Sequence, residues 1–148
     1  MDVLPTLLVG LVAGVIATVV FTIVEYLDIA VTGRPVSTVP GEVTVALTGG
    51  DPHRDQERAK KLNLPTHFMH GTALGAVLAA LSLLGLSAVL TKVIFYVLLL
   101  GGDWMMYTLL GVTTPWSWTA TQWTRELVLK AIFAAAMGVA FYWLIDLF

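Results

Sequence analysis

Four stretches of this chain, residues 4–28, 64–86, 88–111 and 124–146, are apolar almost throughout. Each has the roughly 20 residues that a helix needs to cross a hydrocarbon core of about 30 Å. A backbone in lipid finds no water to bond with, so each run has to be a helix whose polar groups are satisfied internally. The expected fold is therefore all-α: a polytopic membrane protein with four transmembrane helices in an up-down bundle, residues 1–148 forming one domain. Composition agrees, because 57% of the residues are hydrophobic and only 12% charged, against about 25% charged in a soluble domain. The first run has no Lys or Arg before it and continues to Tyr26 without a small-residue cleavage site, so it reads as a retained span.

The formal charge of −2 comes without a basic run or tail, which argues against nucleic acid and leaves the lipid bilayer as the implied partner. With no cysteine, disulfides, thiolate chemistry and Cys-ligated metals are excluded.

The connections differ in kind. Gly85 can end the second helix and Ser87 can cap the third, giving a tight hairpin. Residues 29–63 form a long, structured first loop with TGRPVSTVP, TGGDP and the charged run HRDQERAKK, and VPGEVTVALTG inside it reads as a short surface helix. In TGRPVSTVP, Pro35 sets the backbone, Ser37 caps that short helix, and Arg34 reaches a carboxylate at the end of the first helix, Glu25 or Asp28. The third connection interleaves Trp116, Trp118 and Trp123 with Thr and Ser, as at headgroup level. Arg34, Arg54, Arg58, Lys60 and Lys61 lie in the first connection and Arg125 borders the third, whereas only Lys92 lies near the second. The positive-inside rule then makes 29–63 and 112–123 cytoplasmic in a plasma (inner) membrane, with both termini outside.

Lipid supplies no hydrophobic drive for helix association, so small residues must let the backbones approach. Gly10 and Gly14 in the first helix and Gly71 and Gly75 in the second have that spacing, as do Ala134 and Gly138 in the last. Such edges serve packing within the bundle or a homo-oligomer face. The Gly10 and Gly14 edge continues through Thr18 to Glu25.

Helical projection gathers polar residues into stripes. In the third helix Lys92, Tyr96, Asp103 and Tyr107 fall on one side, in the second His67, His70, Gly71 and Gly75 share a face, and in the fourth Glu126 and Lys130 are spaced for an ion pair. By depth, Glu25, Arg34, His67, His70, Asp103 and Lys130 gather in the cytoplasmic half as a candidate polar cluster. A carboxylate within a span is opposed by ~2.5–3.5 kcal/mol, so Asp103 should face the interior and find a partner, Lys130 or a Tyr, or a hydrated cavity. His67, His70, Glu25 and Asp103 also offer nitrogen and oxygen ligands for a metal, but His-x-x-His alone is a common accident and no metal or other cofactor is assigned. His53, in the charged loop, reads as solvated.

The segments GLVAGVIATVVFTIVEYLDIA, TGRPVSTVP and HFMHGTALGAVLAAL together resemble the small four-helix membrane proteins grouped around the YagU-like inner membrane proteins. Glu25, Gly33, Arg34, Ser37, Pro40, His67 and Gly71 match that pattern. The resemblance implies a four-helix integral membrane protein and supplies no activity.

No nucleophile motif and no Gly-rich phosphate loop is present, so the first reading is a non-enzymatic membrane component or an oligomeric accessory subunit. A second is a small transporter or channel with a cytoplasm-facing cavity using Asp103 and Glu25. A third is a metal-dependent membrane enzyme. For the topology, an impermeant thiol reagent applied from outside should modify a cysteine introduced at Ser87 and leave one at Thr48 unmodified.

Overall fold

The computed structural model describes residues 2–147, which form five α-helices and no strand. Val3–Thr32 (α1) is a single apolar helix of 30 residues. The hydroxyls of Thr6, Thr18 and Thr22 each donate to the carbonyl four residues back, at 2.7 Å, so these side chains carry no unmet polarity into an apolar setting. Gly33 ends the helix in the left-handed region, φ 69°, its N–H donating to the Ile29 carbonyl, a conformation open to glycine at little cost.

The long first loop is more ordered than the sequence reading allows. Val39–Leu47 is a helix (α2), but Gly41, Val43 and Val45 are buried against the helix that follows, so it is not a surface helix. That next helix, Gln56–Ser82 (α3), begins well before residue 64 and runs straight through Pro65. The charged residues 56–63 are thus helical, and the connection shrinks to two short segments around α2. Asn63 joins the parts: its Oδ1 accepts from the Gly41 N–H at 3.1 Å and its Nδ2 donates to the Ser37 carbonyl at 2.8 Å. Further out, Asp51 Oδ1 accepts from the backbone N–H groups of His53 and Arg54; the His53 contact above all holds its carboxyl below the usual range. His53 does more than meet solvent, for its Nε2 lies 2.9 Å from the Gly111 carbonyl and ties this loop to the backbone just after the helix at Ala88–Leu109.

Gly85, at φ 72°, turns the chain out of α3, and Ser87 Oγ accepts from the Leu90 N–H to start Ala88–Leu109 (α4). After a single 3₁₀ turn at Pro115–Ser117, Thr119 and Gln122 form a reciprocal capping box that opens Ala120–Ile145 (α5). The T-x-x-Q signature was present in the sequence, and it places the start at Ala120 rather than residue 124. By length and apolarity α1, α4 and α5 could each cross a membrane, with mean hydropathies of 2.8, 1.5 and 1.9 in their best windows. α3 falls outside that set: Glu57, Arg58, Lys60 and Lys61 fill its first turns, and His67 and His70 interrupt its middle.

α1 packs closely along both α3 and α5, and α4 meets α3 and α5 on the opposite side. Packing quality changes along the bundle. The buried positions of α1 run from Thr6 to Thr18 and stop there. At that end Ala13, Ala17, Leu78, Phe95, Met137 and Phe141 form the core. A Cβ on Gly10 would overlap the Gly75 carbonyl oxygen, one on Gly75 would overlap the Gly10 carbonyl, and one on Gly71 would overlap Thr18 Oγ1. In the other direction the filling side chains are large. Phe21 lies 5.2 Å from the His67 ring and 6.0 Å from the Phe133 ring, centroid to centroid, and beyond this wedge a cavity opens between the helices.

The glycines therefore divide into two kinds. Gly75→Ala should destabilise the protein by ~1–3 kcal/mol through overpacking at a backbone contact. Gly101→Ala, where a Cβ meets nothing within 4 Å, should be neutral or stabilising by up to ~1 kcal/mol. Unfolding midpoints of the two variants in the same detergent check the contrast.

Candidate functional site

Beyond the Phe21, His67 and Phe133 wedge lies a cleft of about 870 Å³ that is partly open to the outside. Leu74, Leu99 and the wedge make its apolar end, α2 walls one side through Val39, Pro40, Val43 and Leu47, and Glu25, Arg34, His70, Asp103, Glu126 and Lys130 bring charge to it. All five helices contribute, together with the segments on either side of α2 and the connection before α5. The cavity follows from the packing: small residues close one half of the bundle, and aromatic and charged side chains in the other half cannot interdigitate as tightly.

Asp103 is the centre of the first polar network. Its side chain is 7% exposed, that of Lys130 is 8% exposed, and the two form an ion pair through Oδ2 and Nζ. Oδ1 lies 2.9 Å from His70 Nε2 on α3. The Tyr107 hydroxyl donates to Asp103 Oδ2 at 3.4 Å and accepts from Lys130 Nζ at 3.4 Å, and Lys130 Nζ lies 3.0 Å from Glu126 Oε1 one turn away. Three helices are thereby joined at one carboxylate. Such a network satisfies the cost of burying its charges only while complete.

The second network closes the charged end of α1. Arg34 donates from Nε to Asp28 Oδ2 at 2.6 Å and from a terminal nitrogen to Glu25 Oε1 at 3.4 Å. The Asp28 oxygen also sits 3.0 Å from Arg125 Nε on α5. Asp28 is thus shared between the first connection and α5. Of the two carboxylates open to Arg34 in the sequence reading, Asp28 takes the shorter bond and Glu25 the longer one.

The stripe on α4 faces α5 as a whole. Tyr96 donates its hydroxyl to the Leu127 carbonyl at 2.8 Å. The stem of Lys92 fills the notch at Gly138, and its ammonium lies 5.8 Å from the Tyr142 ring centroid. The face expected to unite His67 and His70 divides instead: His67 turns with Gly71 and Gly75 toward α1, and His70 turns toward Asp103 on α4. One turn of helix separates the two neighbours. That division bears on the metal candidates, because Glu25, His67, His70 and Asp103 do not converge and no three metal-ligating side chains gather among the described residues.

Arg125 and Asn63 have roles here that the sequence reading did not assign, whereas Tyr107 stands beside Asp103 as the stripe on the third apolar run placed it. Arg125 carried a usable signal, a cation in the first turns of a helix two positions after Trp123. Asn63 carried none, since its partners lie 22 and 26 residues away. No protein-family model, curated protein or solved structure matches this chain.

Asp103→Asn should break the buried pair and destabilise the protein, by less than the ~3–5 kcal/mol of a wholly stranded charge because Glu126 stays 3.0 Å from the Lys130 ammonium, and Asp103→Asn combined with Lys130→Met should recover part of that loss. Chemical denaturation of the three proteins side by side reads the difference.

Proposed function

We propose that the protein is a small integral membrane transporter whose cavity, open toward the cytoplasm, binds its solute among Glu25, Asp103, His70 and Lys130. The observation that carries this reading is the cavity of about 870 Å³ in which residues from all five helices meet, a size within the roughly 300–1,000 Å³ of small-molecule sites. Ionisable side chains inside a membrane bundle face its interior or a hydrated cavity, pair with one another, and often mark a solute or proton pathway. In this reading α3 is the fourth span, crossing with its apolar C-terminal part while its charged first turns stay in the cytoplasm. Both termini are then outside and the α2 region is cytoplasmic, in keeping with the distribution of Lys and Arg. The YagU-like resemblance belongs to the same proposal, as a bundle type without an activity.

Asp103 supplies the coupling group. It touches α3 through His70 and α5 through Lys130, so a proton exchanged there changes what holds α4 to both neighbours. A solute entering from the cytoplasm meets this network at the inner end of the cavity.

A second reading, an oligomeric accessory subunit, is favoured by one specific feature. Gly101 and Gly102 are exposed on α4 with open space where a Cβ would point, leaving the smallest outward residues on a helix beside Leu98 and Met105, which are also exposed. Close helix approach in lipid uses such positions.

Because the chain has no cysteine, a Thr22→Cys variant places a single thiol in the cavity wall. An impermeant thiol reagent should modify it readily from the cytoplasmic side and slowly from the outer side if the cavity alternates its access. Modification from the cytoplasm alone would leave a binding component, and no reaction from either side would exclude an open cavity.

A further inference from the structure

The cavity carries an imbalance of charge that selects a class of solute, and we infer that it takes an organic cation, an ammonium group borne on an apolar or aromatic body. This inference rests on the cavity binding a solute as proposed above. Its wall includes the carboxylates of Glu25, Glu42, Asp103 and Glu126 and the permanent cations Arg34, Arg125 and Lys130. Asp28, just behind the wall, draws on both arginines. Cations are therefore outnumbered, and the shortfall is local.

Glu42 is satisfied by the Thr38 hydroxyl at 2.7 Å and the Gln56 amide at 3.1 Å. Asp103 holds Lys130, His70 and Tyr107. The under-bonded groups are the two glutamates. Glu25 receives only the long contact from Arg34, whose short bond goes to Asp28. Glu126 Oε1 is closed off from solvent and has one charged neighbour, Lys130 Nζ at 3.0 Å, an ammonium it shares with Asp103 and Tyr107.

Glu25 and Glu126 lie at the same level of the α1 and α5 seam. Glu25 precedes Asp28 by three residues, Glu126 follows Arg125 by one, and Asp28 and Arg125 are 3.0 Å apart. An ammonium ion brings three donors to such a place, and the faces of Phe21, Phe133 and Tyr26 suit both its charge and its body. Arg125 does keep terminal nitrogens without a partner among the described residues, but an anion bound there would face Asp28, Glu25 and Glu126 at once. The apolar end of the cavity distinguishes an organic cation from a bare metal ion, which would find no ligand set among the described residues.

Two fluorescent probes of similar size and opposite charge test this: 2-(1-naphthyl)ethylammonium and 1-naphthylacetate, titrated into the full-length protein in nanodiscs of zwitterionic lipid, with empty discs as the partitioning control. The ammonium should bind saturably and the carboxylate at least about tenfold more weakly. Glu126→Gln should weaken the ammonium by about tenfold or more. The wild-type comparison needs no variant, so a folding defect in Glu126→Gln cannot mask the answer, and Glu126→Asp should retain binding. Equal or tighter binding of naphthylacetate, or ammonium binding indifferent to a folded Glu126→Gln, would overturn the cation inference and leave the solute cavity standing. Saturable binding of neither probe would overturn both.

Discussion

The backbone contact between α1 and α3 governs the rest of this molecule. Gly10 meets Gly75, Gly14 meets the backbone at Gly71 and Thr72, and no side chain larger than hydrogen fits between these helices there. Two helices held that closely at one end diverge toward the other as soon as their facing residues grow. Phe21 and His67 are the first large pair beyond the glycines, and they act as a wedge. The open half of the bundle is thus a consequence of the closed half. Because dispersion contacts and not hydrophobic exclusion hold helices together in lipid, the glycine seam is where the association energy concentrates.

Into the space beyond the wedge the helices place charges that would be unaffordable in contact with lipid. Asp103 and Lys130 are almost completely covered by protein, and each has further partners on a different helix. Pairing of this sort adds little net stability relative to an apolar core, yet it fixes which faces of α3, α4 and α5 look inward. The Arg34, Asp28 and Arg125 cluster does the same where α1 leaves the bundle, and it anchors the first connection as a wall of the cavity. Function and register are thereby held by the same residues.

How much of this was legible in the sequence varies with the range of the interaction. The apolar runs, the Gly85 turn and the Ser87 cap are local, and so is the α4 stripe of Lys92, Tyr96, Asp103 and Tyr107, which projection alone puts on one face. The α5 start was misplaced by four residues although Thr119 and Gln122 announced it, because the Trp-rich segment was assigned to the headgroup region. The early start of α3 was hidden by its charge: Gln56 to Asn63 look like loop until α2 is seen to pack on them through Gly41 and Ala59. Helical projection puts His67 and His70 on one broad face, but three residues still leave their directions about 60° apart, and on a helix flanked by α1 and α4 that sends one ring to each neighbour.

The sequence by itself determined that this chain forms apolar helices, that its small residues line particular edges, and that Asp103 must look inward, since each of these follows from helix periodicity and from the cost of bare charge in an apolar medium. Only the tertiary structure decided which helix answers which: that Asp103 is shared between His70 and Lys130, that Asp28 joins Arg34 to Arg125, and that Glu126 shares the Lys130 ammonium with Asp103. Partner choice depends on interhelical distance and rotation to within an ångström or two. Those are set by how far the glycine seam lets α1 and α3 approach and by how far Phe21 and His67 then push them apart, and neither quantity is written in any one segment of the chain.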